Sequence, residues 1–228
     1  MPVRFLCLHG WGTNIQILQS QLGPLMRELQ KDNSAEFHFI QGDVEADPGP
    51  GIEGFYEGPY YSFYQFPRTF PDSDDEEDDG GDASMFEAYE MIYDIIAEEG
   101  PFDGILGFSH GGTLASGFLI HHSKTSPYTP PPFRCAVFFN SLPPFRMDPG
   151  EELVVDDDLA RHLTIPTLSI AGTRDFVYKQ SLMLHQLCDE KSSQLILHGK
   201  GHEIPGDAAT VARMAKAFRA LCLRAMYL

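Results

Sequence analysis

The chain has 228 residues, 43% of them hydrophobic, which is enough apolar material for one sizeable core and a length that one α/β unit commonly reaches. Its 33 acidic residues against 16 basic ones give a formal net charge of -17, which repels phosphate backbones and anionic lipid headgroups and excludes nucleic acid and membrane surfaces as expected partners. Four scattered cysteines, Cys7, Cys135, Cys188 and Cys222, show neither a CxxC spacing nor the density of a disulfide scaffold. The start, Met1-Pro2-Val3-Arg4, leads into an apolar stretch far short of the roughly 18 residues of a membrane span, so a soluble cytoplasmic protein is expected.

In chain order, Val3 to Leu8 reads as a buried strand, and Ile15, Leu18, Leu22, Leu25, Met26 and Leu29 then recur at three- and four-residue intervals as the inner face of a helix. Phe37 to Ile40 is a second strand. From Gly42 to about Ala83 the alternation breaks in a stretch rich in Gly, Pro and aromatics that ends in an acidic run, Asp72 to Asp82. A stretch of that length is expected to be a lid or binding loop followed by a disordered segment. Phe86, Tyr89, Ile92, Tyr93 and Ile96 mark the next helix, with Ser84 and Glu87 spaced as a capping box at its start. Gly104 to Phe108, Ala136 to Phe139, Thr167 to Ala171 and Gln194 to Leu197 are further strand-length apolar runs, and Val211, Met214, Ala215, Phe218, Leu221 and Cys222 line a closing helix. This order predicts an α/β fold with a doubly wound, mainly parallel sheet and helices on both faces. A single domain over residues 1–228 is expected, with an irregular insertion at about 43–83.

The chemistry centres on Gly107-x-Ser109-x-Gly111, at the end of one predicted strand and the start of a helix, which is the pattern of a nucleophile elbow. G-x-S-x-G arises by chance in about one chain in fifteen of this length, so its partners must decide. A serine hydroxyl needs a histidine to take its proton and an acid to fix that histidine's tautomer. Asp175, directly after the Thr167 strand, and His202, in the glycine-rich loop after the Gln194 strand, follow in the order Ser, acid, His and stand at the carboxyl edge of the sheet. His198 closes a strand, and His121, His122, His162 and His185 fall in helical or linker sequence, so none of them competes by position. The oxyanion of an acyl-transfer intermediate needs two backbone N-H donors. His110 supplies one as the residue after the nucleophile, and the second is assigned to Trp11 in Leu8-His9-Gly10-Trp11-Gly12, with Gly12 as the alternative. No metal or cofactor is required.

Eight aromatics fall between Phe55 and Phe70, namely Phe55, Tyr56, Tyr60, Tyr61, Phe63, Tyr64, Phe66 and Phe70. If Tyr60, Tyr61, Phe63 and Tyr64 bind substrate, that substrate carries a sizeable apolar or aromatic acyl group; the alternative is that the rings are the buried side of an irregular segment.

The blocks Leu8-His9-Gly10-Trp11-Gly12, Phe102 to Gly111, Phe138-Phe-Asn-Ser-Leu-Pro-Pro144, Ile165 to Asp175 and Leu197 to Pro205 together resemble the fungal serine hydrolase family, often called FSH. That family includes the human ovarian-cancer-associated protein two and thioesterases of polyketide pathways. The resemblance implies an α/β-hydrolase fold and cofactor-free cytosolic activity on esters or thioesters. In several relatives it implies release of acyl chains from carrier domains of polyketide synthases in secondary metabolism. Two departures stand out: His110 occupies a position where glutamine is frequent, which matters little if only its backbone is used, and the acidic insertion bears on substrate choice. A thioesterase acting on a carrier-bound acyl chain is the leading expectation, and a carboxylesterase for small or medium esters the runner-up. The third reading is a binding module with the acidic run facing a basic partner, and the complete set of Ser109, Asp175 and His202 argues against it.

Overall fold

The computed structural model describes residues 2–65, 80–144 and 163–227, those at 80–83 by backbone alone. In chain order the elements are β1 (Val3–Leu8), α1 (Ile15–Gln30), β2 (Ala35–Ile40), β3 (Val44–Glu45), β4 (Tyr61–Ser62), α2 (Gly80–Glu99), β5 (Gly104–Phe108), α3 (His110–Thr125), β6 (Cys135–Phe139), β7 (Thr167–Gly172), α4 (Tyr178–Gln186), β8 (Ser193–His198) and α5 (Ala208–Met226). Six strands pair side by side in the order β2-β1-β5-β6-β7-β8, and every pairing is parallel.

The sheet is covered on both faces because its strands are apolar at both parities. Along β1, Val3, Phe5 and Cys7 point to one side, where they meet Leu18, Leu22, Leu25 and Leu29 of α1 and Met214, Phe218 and Leu221 of α5. Leu6 and Leu8 point to the other and meet Tyr89 and Ile92 of α2 and Leu114 and Phe118 of α3. Local chemistry starts the helices of the first face: Asn14 accepts the Ile17 N-H at 2.9 Å and Asp207 the Thr210 N-H at 3.0 Å.

The structure corrects the sequence reading in two places. The backbone of α2 already begins at Gly80, so Ser84 lies inside it rather than at its cap, and the Ser84 hydroxyl accepts the Gln65 N-H at 3.0 Å instead. The 43–83 insertion is not irregular throughout: β3 and β4 form an antiparallel pair, Val44 opposite Ser62 and Glu45 opposite Tyr61, and Tyr61 bridges to Thr13. Phe66, Phe70 and Asp72 to Asp79 lie outside the described residues, while Asp82 falls within α2.

Phe218 is fully buried, with its ring centroid 5.6 Å from Phe5, 6.3 Å from Phe37 and 6.5 Å from Phe139. Phe218→Ala is expected to cost about 3–5 kcal/mol in urea unfolding, and Leu223→Ala, on the exposed side of the same helix, less than about 0.5 kcal/mol.

Candidate active site

The chain runs from β1 outward to β2 and then returns across β1 to form β5 on its other side, so the connections leaving β1 and β5 diverge and open a crevice at their carboxyl ends. Ser109 ends β5 at this point with φ 52° and ψ -119°, a region that side chains other than glycine avoid. Its neighbours make the turn possible. A Cβ at Gly107 would overlap the backbone nitrogen of Gly112, and one at Gly111 would overlap the carbonyl oxygen of Leu8. The Ser109 N-H donates to the Phe139 carbonyl at 2.8 Å, tying the turn to β6 while the hydroxyl stands at the start of α3.

A continuous hydrogen-bond chain leads away from that hydroxyl. His202 Nε2 lies 2.9 Å from Ser109 Oγ, and His202 Nδ1 lies 2.8 and 3.0 Å from the two carboxylate oxygens of Asp175. A carboxylate only accepts, so Nδ1 carries the proton and Nε2 is left as the acceptor for the serine hydroxyl. The Asp175 side chain is wholly buried, and Oδ1 also accepts the Val177 N-H at 3.0 Å. Phe108 and Phe176 flank the imidazole, with centroids 5.0 and 4.6 Å away. His198, by contrast, is buried beside the Lys200 N-H, which it accepts at 3.3 Å.

Asn140, to which the sequence reading gave no role, joins the loops that carry Asp175 and His202. It ends β6 at φ 45°, accepts the Gly172 N-H at 2.9 Å and donates to the Glu203 carbonyl at 3.1 Å. The available signal was an asparagine at a strand end, a residue that tolerates left-handed backbone and bonds locally. Asn140→Ala is expected to lower kcat about 10- to 100-fold by loosening the Asp175 and His202 loops together, checked by steady-state kinetics beside a melting curve.

The turn after β1 is equally constrained. The Gly12 N-H, at φ 61°, donates to the Tyr61 carbonyl at 3.0 Å, so this alternative oxyanion donor is engaged. The Gly10 carbonyl accepts from Thr13 Oγ1 at 2.6 Å and from His9 Nδ1 at 2.8 Å. His9 Nε2 accepts the Gly42 N-H at 3.0 Å, which puts the ring proton on Nδ1. Because the Gly10 carbonyl and the Trp11 N-H share one peptide plane, these bonds fix the orientation of the Trp11 N-H on the wall of the crevice.

The His110 side chain is used as well as its backbone, which corrects the expectation that its identity matters little. Its ring is buried with Nε2 3.0 Å from Ser62 Oγ and 3.4 Å from Phe63 N, and it packs 4.1 Å from the Tyr64 ring. It therefore clasps the end of the aromatic segment to the elbow. Burial pushes the His110 pKa down to about 3 and that of His9 to about 4. Both histidines are neutral in the fold but titrate near 6.5 when unfolded, so the unfolded chain takes up protons first as pH falls. Their contribution to stability is complete above pH 6.5 and is lost as pH drops toward these depressed values. Urea unfolding is expected to show a loss of about 2 kcal/mol for each between pH 7 and 5, and His110→Gln should remove its share of that slope.

Around Ser109 the crevice encloses about 1000 Å³. Of the four aromatics expected to bind substrate, Tyr64 lines it, joined by Phe55 and Tyr56. Tyr60, Tyr61 and Phe63 do not. Tyr60 donates its hydroxyl to the Tyr56 carbonyl, Tyr61 is spent on backbone pairing with Thr13, and Phe63 is buried 4.5 Å from the His9 ring. No group of three or more metal-ligating side chains and no helix able to cross a membrane occurs among the described residues.

The parallel sheet, covered on both faces and carrying a serine at a strained strand-to-helix turn, is that of the α/β-hydrolases. Solved structures of that class share the fold: Arabidopsis thaliana SOBER1, at TM-score 0.60 and 19% identity, covering 99% of this chain and 100% of its own, and the Bacillus cereus carboxylesterase, at 0.58 and 20%, covering 96% and 88%. The family described as serine hydrolase (FSH1) matches residues 1–214, and the chain belongs to it. Relatives include the hydrolase phiM of Talaromyces stipitatus, 44% identical across 97% of this chain and 88% of its own length, and the esterase FPY3 of Fusarium mangiferae, 33% identical across 98% and 99%. The protein is thus a serine hydrolase of α/β-hydrolase fold.

Proposed function

We propose that Ser109, His202 and Asp175 act as a catalytic triad that cleaves an ester or thioester through an acyl-enzyme. The observation that carries this reading is the unbroken chain from Ser109 Oγ through His202 to the buried carboxylate of Asp175. Ser109 Oγ attacks the carbonyl carbon as its proton passes to His202 Nε2, and the carbonyl electrons collect on the oxygen. The backbone N-H groups of Trp11 and His110 receive that charge. Collapse breaks the bond to the leaving oxygen or sulfur, which takes the proton from His202. Water then gives a proton to His202 and attacks the acyl carbon, and Ser109 leaves with that proton, releasing the free acid. Asp175 holds the Nδ1-H tautomer throughout and stabilises the transient imidazolium.

A crevice of about 1000 Å³ with Tyr64 and Leu142 in its lining favours a sizeable acyl group. Together with the family resemblance it supports a thioesterase that releases a polyketide or other acyl chain from its carrier domain. The esterase name carried by the relative FPY3 supports the second reading, an oxygen-ester carboxylesterase.

A fluorophosphonate probe should label the wild type and not Ser109→Ala, and His202→Ala should slow labelling by at least about 10³-fold. Labelling that persists in Ser109→Ala would contradict the assignment. A panel of acyl thioesters and matched oxygen esters then separates the two substrate readings by the ratio of their kcat/KM values.

A further inference from the structure

Resting on the acyl-enzyme reading, we propose that Phe176 is a positioning residue that acts through His202: its ring holds the imidazole against Phe108 and stabilises the positive charge acquired when Ser109 gives up its proton. Two rings meet the imidazole, one from the core and one from the mouth of the crevice. The Phe176 centroid lies 4.6 Å from that of His202 with 39° between the planes, and the Phe108 centroid lies 5.0 Å away at 45°. Both separations fall inside the roughly 6 Å over which an aromatic face attracts a cation, and neither pair meets at the near-perpendicular angle of an edge-on contact.

The attraction acts on one side of the reaction only. Before attack His202 is a neutral imidazole with its proton on Nδ1, and a ring quadrupole does little for it. Transfer of the Ser109 proton to Nε2 makes it an imidazolium, and the charge disappears when that proton passes to the leaving atom. An interaction felt only in the charged state lowers the barrier rather than tightening substrate binding. Proton transfer to His202 recurs when water attacks the acyl group, so both halves of the reaction gain. Asp175 stabilises the same charge from within the imidazole plane, along the Nδ1-H bond, whereas the rings act from outside it.

The turn carrying Phe176 is held to His202 by the backbone. Asp175 Oδ1, 3.0 Å from His202 Nδ1, also accepts the Val177 N-H at 3.0 Å, and the Arg174 N-H donates to the Lys200 carbonyl at 3.1 Å. Phe176 is itself 65% exposed while the His202 side chain is 13% exposed, so the ring stands between the imidazole and solvent, where partial desolvation strengthens the attraction.

Phe108 is buried in the core and cannot be changed cleanly, but exposed Phe176 can. The test places 4-fluoro-, 3,5-difluoro- and 3,4,5-trifluorophenylalanine at position 176, which keep the ring's shape while draining its face of negative charge. Phe176→Leu keeps an apolar cover without a π face. With a p-nitrophenyl ester, and the burst used to count active sites, kcat/KM is expected to fall with each step of fluorination. The trifluoro ring and Phe176→Leu should end about 3- to 10-fold below wild type with melting temperatures unchanged. Loss of a group that stabilises the imidazolium lets His202 shed its proton more readily. The acidic limb of the kcat/KM profile should therefore move about half a unit to lower pH even as the plateau falls. The charged groups on the segments around His202 are Arg174 and Asp175 on the Phe176 turn and Lys200 and Glu203, paired at 3.0 Å, on its own loop, with His110 and His198 buried nearby. All are common to the series, so the shift reads the ring. A ring that merely packs would give a flat fluorine series, and one that merely excludes water would, on replacement, move the limb to higher pH; either result overturns the proposal. No turnover and no burst in the folded wild type would overturn the acyl-enzyme reading and this proposal with it, whereas a normal wild-type burst with a flat series overturns this proposal alone.

Discussion

A serine held at φ 52° between two glycines that admit no side chain is the constraint around which this molecule is arranged. Strain of this kind costs of order 1–3 kcal/mol and persists only where the surroundings over-determine it. Here they do. The Ser109 N-H is tied to β6, the passage past Gly107 and Gly111 brings the start of α3 against the end of β1, and both faces of the parallel sheet are sealed by helices. The return that places β5 beside β1 opens the crevice at the same point, so the position of Ser109 and the cavity arise from one topological fact.

The remaining groups are brought in by loops fixed by hydrogen bonds between distant segments, and the His202 loop also carries the surface ion pair of Lys200 and Glu203 at 3.0 Å. Asn140 bonds to Gly172, just before the Asp175 turn, and to Glu203, next to His202, so Asp175 and His202 share one anchor. His9 and Thr13 converge on the Gly10 carbonyl and set the adjoining peptide plane. His110 links the elbow to Ser62 and Tyr64. Their burial keeps His9 and His110 neutral, and a neutral imidazole can accept a backbone N-H where an imidazolium could not.

Much of this was legible in the sequence, for identifiable reasons. Buried parallel strands are continuous apolar runs, so all six strands of the sheet were visible, and the order of Ser109, Asp175 and His202 matched the ends of three of them. What the sequence hid depends on contacts between distant segments. The two-residue strands β3 and β4 have no periodicity to detect and exist because Tyr61 pairs with Thr13 and the β3 backbone. Ser84 carried a cap signature, yet its hydroxyl was drawn instead to the Gln65 N-H. Among the aromatics, side-chain type said nothing about direction. Tyr64 lines the crevice while its neighbour Phe63 is buried against His9, and both rings pack on that of His110. Asn140 and the His110 side chain act through partners 32 or more residues away in sequence, beyond any local motif.

A covalent acyl group on Ser109 is the intermediate on which the hydrolytic chemistry turns. Rapid mixing with a p-nitrophenyl ester, followed by acid quench and mass spectrometry of the digested protein, reads it directly. A burst of about one p-nitrophenol per protein and a peptide containing Ser109 heavier by the acyl group are expected, both absent in Ser109→Ala. Steady turnover with no burst and no adduct, or an adduct on another residue, would contradict it.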